Sequence, residues 1–185
     1  MQLKLPAVVI DWLIRRSRRS PYPNIGNYME RGWLLRCDRK RAWPPFGARI
    51  HHVLRSDHDR ALHDHPWWNV SWVLRGGYWE VTSAAEGSTG VLRPEAAVLI
   101  EQLGALDAAT GAALARQAAA LGVFWRGPGA VVFRSAATAH RLVVPSGGEA
   151  WSLFVMGKKS QWWGFITPDG KMYWRAYLKR HGREV

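Results

Sequence analysis

An all-β sandwich or barrel is the fold class this sequence predicts, and three observations predict it. Short runs rich in Val, Ile, Leu, Trp and Phe recur along most of the chain. Turn signals separate them: Pro44-Pro45, Gly76-Gly77, Gly127-Pro128-Gly129, Ser146-Gly147-Gly148 and Pro168-Asp169-Gly170. Hydrophobic residues make up 48% of the 185 positions, enough to bury a sizeable core. A chain of this length is expected to form one domain spanning residues 1–185.

The elements follow in order. Pro6 at a first turn opens a helix over Ala7–Arg18, where Val8, Val9, Trp12 and Leu13 share a face. With the basic residues behind it, this forms an N-terminal arm over residues 1–22 that can pack on the domain or lie on an anionic membrane. The Ser20-Pro21-Tyr22-Pro23-Asn24 stretch breaks it. Strands are expected at Gly32–Cys37, Ala48–Leu54, Val70–Arg75, Gly77–Thr82, Ala130–Arg134, His140–Val144 and Trp151–Met156. A hairpin pairs Gln161–Thr167 with Lys171–Tyr177. Residues 94–122 are alanine-rich and lack aromatics, so they read as a helical insertion between strands. Asp107 caps a helix over Ala108–Leu121, and Gly122 stops it.

Composition excludes several function classes. The single cysteine, Cys37, forms no intrachain disulfide, which argues against a stapled secreted scaffold and for a reducing, cytoplasmic setting. No uncharged apolar run is long enough to span a bilayer. Lys plus Arg number 26 against 14 acidic residues, a net charge of +12. Such a balance attracts polyanions, so nucleic acid or an anionic surface is a candidate partner through the clusters at Arg15–Arg19, Arg36–Arg41 and Lys158–Lys159. No zinc-finger spacing, RNA-recognition signature or glycine-rich phosphate loop accompanies the charge.

The chemistry concentrates in the histidines. In Leu62-His63-Asp64-His65-Pro66-Trp67-Trp68, residues two apart on an extended chain project to the same side, so His63 and His65 can reach one metal ion. Asp64 then projects the other way. His51 and His52 fall on a predicted strand, where one must face inward; His52 is taken as the pocket residue.

This segment resembles the first motif of the cupin superfamily. Three residues separate His65 from Asn69, where that motif has glutamate, and six more lead to Gly76, where it has glycine. The second cupin motif has a counterpart as well. Gly129 is followed by five residues, then Ser135 and Ala137 at the proline and glycine places, His140 at the histidine, and Val144 at the final asparagine. The resemblance implies a cupin-like double-stranded β-helix, or jelly-roll barrel, with an N-terminal helix and the alanine-rich insertion added to it. It also implies a divalent metal at the barrel mouth held by His63, His65 and His140, and, as cupins commonly pair through their sheets, a homodimer.

Asn69 departs from the pattern, since a neutral amide oxygen is a weaker ligand than a carboxylate for a hard ion. The resulting three-histidine set is similar to that of thiol dioxygenases. Fe(II) is the favoured metal, with Zn²⁺, Ni²⁺ and Mn²⁺ as alternatives. Asp57, Asp59 and Asp64 are either partners that orient the imidazoles or turn formers, and a ligand role for Glu80 stays open. Most of the 12 tryptophans are expected in the core, with Trp67 and Trp68 the best placed to line the pocket beside Asn69. Arg49, Arg75 and Arg134 are candidate clamps for an anionic group.

The expected function is therefore a metal-dependent oxidoreductase, an Fe(II) dioxygenase acting on a small anionic molecule. The alternatives are a non-redox isomerase, epimerase or lyase with His63 or His140 as general base, and a ligand-sensing regulatory module whose basic surface engages nucleic acid.

Overall fold

The computed structural model describes residues 3–25, 27–36, 44–57, 61–87 and 91–182. Cys37, Arg39, Lys40, Arg41, His58, Asp59 and Arg183 lie outside the described residues.

Helix α1 (Ala7–Arg18) is followed by β1 (Pro21–Ile25), β2 (Met29–Leu35), β3 (Gly47–Val53), β4 (Asn69–Gly76) and β5 (Tyr78–Thr82). The insertion contributes α2 (Pro94–Ala105), α3 (Ala108–Ala112) and α4 (Ala115–Ala120). Strands β6 (Val123–Arg126), β7 (Val131–Arg134), β8 (His140–Val143), β9 (Ala150–Met156), β10 (Gly164–Thr167) and β11 (Gly170–Tyr173) lead into α5 (Trp174–Arg180).

The strands form two antiparallel layers. One sheet has six strands in the order β1-β2-β3-β9-β4-β7, and a smaller one has the order β6-β5-β8. His63 bridges β8 and β10, which joins the β10–β11 hairpin to the small sheet. The sheets face one another but do not close into a true barrel, which corrects the barrel expectation. The fold is all-β, with the N-terminal helix and the helical insertion added on its two outer faces.

Each layer follows from side-chain alternation. Ile10 and Ile14 of α1, one turn apart, pack on Ile50, Leu74, Trp72, Trp151 and Leu153, covering the outer face of the large sheet. Fully burying one such side chain contributes roughly 1.5–3 kcal/mol. Ala96, Leu99, Ile100 and Leu103 of α2 carry the same periodicity and pack on Trp79, Val81, Val123 and Val143, the outer face of the small sheet. Between the sheets, Met29, Val53, Val73, Tyr78, Leu142 and Val144 fill an apolar inner layer.

Four local expectations change. The Pro21–Asn24 stretch is β1, an edge strand, where a proline without an N–H is tolerated. Val123–Arg126, within no expected strand, is β6, held between the insertion and β5. The single helix over Ala108–Leu121 is two short ones, with α2 the main helix; Asp107 does cap, its carboxylate accepting from the Thr110 N–H at 2.8 Å. The hairpin's second strand stops at Tyr173, because Tyr177 turns helical to stack on Phe165 with ring centroids 4.0 Å apart.

Candidate metal centre

The site forms where the first histidine segment is drawn onto β8. The backbone N–H of His63 donates to His140 O and that of His140 donates to His63 O, both at 2.9 Å. This pairing sets the two histidines opposite each other, and the extended chain brings His65 to the same side. The three ring centroids stand 5.1 to 5.4 Å apart, with one candidate ligand atom of each within 4.8 Å of the others.

The closest approach is His65 Nε2 to His140 Nε2, 2.9 Å. Two imidazole nitrogens held about 2.1 Å from one ion and at right angles are about 3 Å apart, so the spacing fits a shared divalent cation. Burial, then the charge of Arg134, lowers the pKa of His140 to about 4. Burial, then the neighbouring His140 and His63, puts His65 well below its ordinary value. Both rings are therefore neutral near pH 7, the form that ligates a metal.

Glu80 fixes the tautomer of His140. From β5 its Oε1 accepts the Nδ1–H at 3.0 Å, which leaves the Nε2 lone pair facing His65 Nε2. The same carboxylate accepts from Arg134 Nε at 2.6 Å and from Arg126 Nε at 2.7 Å. Burial pushes the Glu80 pKa up, but the His140 hydrogen bond and the Arg134 charge outweigh it and hold the group ionised. Glu80 thus sits behind a histidine of the cluster and supports it. The sequence held no spacing signal for this pairing, since the two residues meet only through the β5–β8 ladder.

The remaining predicted residues are distributed as follows. Asn69 is wholly buried at the start of β4, and its Oδ1 accepts from Arg134 Nη1 at 3.4 Å. Its Nδ2 has no partner. Asp64 points away from the cluster, accepting from the Gly164 N–H and from Gln161 Nε2, each at 2.9 Å, and pairing with Lys171. It ties the histidine segment to the β10–β11 hairpin. Asp57 accepts from the Leu142 N–H at 3.0 Å and lies 3.8 Å from His63 Nδ1. Trp68 is part exposed, stacks with Phe133, and with Ser135, Ala136 and Ser160 lines an open basin of about 440 Å³. Trp67 lies under the guanidinium of Arg49.

His52 is not a pocket residue. Strand alternation turns it to the outer face, stacked on Trp151 at 3.7 Å between Glu30 and Glu149. Its neighbour His51 takes the inward place, stacked on Phe154 at 4.5 Å, and Phe154 in turn lies 5.8 Å from the His65 ring. Arg75 is also turned outward, paired with Asp11 of α1 at 2.6 Å.

No protein-family model matches the chain, and no curated protein matches it. Solved structures do. The DMSP lyase DddQ from Ruegeria pomeroyi is 13% identical, with 91% of this chain covering 73% of that one at a TM-score of 0.54. A cupin-2 domain from Rhodospirillum rubrum is 12% identical over 86% of this chain and 79% of that one, TM-score 0.49. The polyketide cyclase RemF from Streptomyces resistomycificus is 16% identical over 78% and 79%, TM-score 0.45. At these identities the likeness is one of fold. The chain has an all-β, cupin-like fold, and within it a three-histidine cluster able to coordinate a divalent metal.

Proposed function

We propose that the protein is a metal-dependent enzyme of the Fe(II) dioxygenase type, acting on a small anionic substrate at the cluster of His63, His65 and His140. One observation carries the reading: three imidazoles converge on one point, with the His140 lone pair aimed there by Glu80. An iron(II) ion in such a site supplies Lewis acidity and redox chemistry with dioxygen. The chain's own part is to keep His65 and His140 deprotonated and all three ligands oriented. Glu80 orients His140, the paired backbone bonds fix His63, and the Asp64 contacts hold the loop that carries His65. With three neutral ligands the ion keeps its full charge, which suits an anionic substrate.

The donor set serves a non-redox metal enzyme equally, and this is the second reading, with Zn²⁺ in the same place. His140 is poorly suited to act as a metal-free general base. Such a base works best with a pKa near the operating pH, and His140 lies at about 4.

Elemental analysis of the purified protein after exposure to Fe(II), Zn²⁺, Ni²⁺ and Mn²⁺ tests the proposal. One ion per chain is expected for the wild type, with a loss of at least tenfold in affinity for His65→Ala. A protein that takes up none of the four ions contradicts the metal reading. Zn²⁺ uptake with iron rejected removes the dioxygenase and leaves the non-redox enzyme.

A further inference from the structure

Next to the histidine cluster lies a set of buried groups that neither the fold nor the metal site uses. Arg49 projects from β3 to the same side as His51, being two residues away. Its side chain is enclosed by aromatic rings, the guanidinium carbon 3.9 Å from the centroid of Trp33, 4.0 Å from Tyr22 and 5.7 Å from Trp67. The residue is 6% exposed.

No carboxylate pairs with Arg49 among the described residues, and its Nε has no hydrogen-bond partner. Tyr22 is its hydrogen-bonding neighbour, and Arg31 adds a second positive charge over the same ring, 4.5 Å from the centroid. Two further buried nitrogens lack partners here: His51 Nε2 and Trp67 Nε1. Trp67 is two residues beyond His65, and His51 shares Phe154 with it, so both connect this region to the cluster.

A buried cation without a counter-charge among the described residues, flanked by an indole N–H and an imidazole nitrogen without partners, is a costly arrangement for a fold to keep. Its chemical complement is a group rich in acceptor oxygens and negative charge. Aromatic walls on the guanidinium leave its unpartnered Nε–H to a planar or tetrahedral oxyanion.

We propose that Arg49, His51 and Trp67 form an oxyanion subsite that takes the carboxylate or phosphoryl group of the substrate beside the three-histidine cluster. This rests on the metal reading above and deepens it by naming the substrate class and the residues that select it. Burial, with the charges of Arg49 and Arg31, keeps His51 neutral, so its ring offers one N–H and adds no further charge.

Acetate and methylphosphonate serve as probes, titrated into metal-free protein at constant ionic strength in chloride while tryptophan fluorescence is read. Trp33 and Trp67, in contact with Arg49, report occupancy. Saturable binding is expected for the wild type, and the tighter of the two probes tells whether a carboxylate or a phosphoryl group is preferred. Arg49→Lys keeps a charge but loses the fork, and His51→Leu removes the ring nitrogens. Each is expected to weaken binding at least tenfold while circular dichroism and metal uptake stay as in the wild type. Two variants guard against a folding defect in either one. Wild-type protein without saturable binding of either probe, or folded variants that bind like the wild type, overturns the subsite. A wild type that takes up no metal yet binds an oxyanion through Arg49 sinks the metal reading alone.

Discussion

Glu80 joins two arginines to a neutral histidine, and through His140 it fixes the tautomer at the site. Its carboxylate satisfies Arg134 and Arg126 and receives the His140 Nδ1–H. A pH dependence follows. His140 has a folded pKa of about 4, depressed from 6.5 first by burial and then by Arg134. Between those values the unfolded chain binds a proton that the folded protein refuses, so stability falls as pH drops from 6.5 toward 4. His65 shifts in the same direction. Roughly 3 kcal/mol is at stake for His140, or about 6–12 °C in Tm for a chain of this size. Thermal melts of metal-free protein at intervals from pH 7.5 to 4.5 are expected to show this decline. A flat profile contradicts the burial of neutral histidines. At this scale the ligand spacing was legible, because two-residue periodicity needs no knowledge of the fold. The choice between His51 and His52 was not. Either parity satisfies a strand, and only the docking of α1 on the Trp151 face decides which histidine is turned outward.

Elements place these residues, and the β4–β5 connection does so most directly. β4 begins with Asn69 in the large sheet, β5 carries Glu80 in the small one, and Gly76 and Gly77 join them. Gly76 has φ of +62°, and a Cβ there would lie 1.8 Å from Glu149 O, a backbone atom that cannot swing aside. Gly76→Ala therefore combines left-handed strain with displacement of β9, and a loss of about 2–4 kcal/mol is expected. Urea unfolding measures it, and a change under about 0.5 kcal/mol contradicts the close packing of this turn. Alternating apolar runs made most strands legible. The misses have separate physical causes. Prolines disguised β1, since their cost vanishes only at a sheet edge. Leu99, Ile100 and Leu103 of α2 were hidden in an alanine-rich stretch whose helical face is defined by the sheet beneath it. Barrel closure was inferred from resemblance, and strand pairing rather than local sequence decides it.

For the molecule as a whole, the +12 net charge is distributed around the site rather than absorbed by it. The acidic groups near the core are committed: Glu80 to Arg126 and Arg134, Asp64 to Lys171, Asp11 to Arg75. Arg15, Arg16, Arg18 and Arg19 at the end of α1 have no acidic partner among the described residues, although Arg18 lies 5.7 Å over the Trp151 ring. The helix packs inward through Ile10 and Ile14, which leaves Val8 and Trp12 exposed on its outer side. Packing on the sheet and presenting a basic surface are thus compatible, because they use opposite faces of one helix. Self-association through this face would oppose like charges, whereas a polyanion releases counterions on contact. Weak, sequence-independent attraction to duplex DNA is the expected result, with log K falling linearly in log salt. Replacing Arg15, Arg16 and Arg19 together by Gln should reduce the steepness of that line by about 2–3, since each lost phosphate contact removes close to 0.9 from the slope. Fluorescence anisotropy across a salt series reads the slope directly. An unchanged slope in the triple variant means that the helix takes no part, and the charge then acts only as a diffuse surface field.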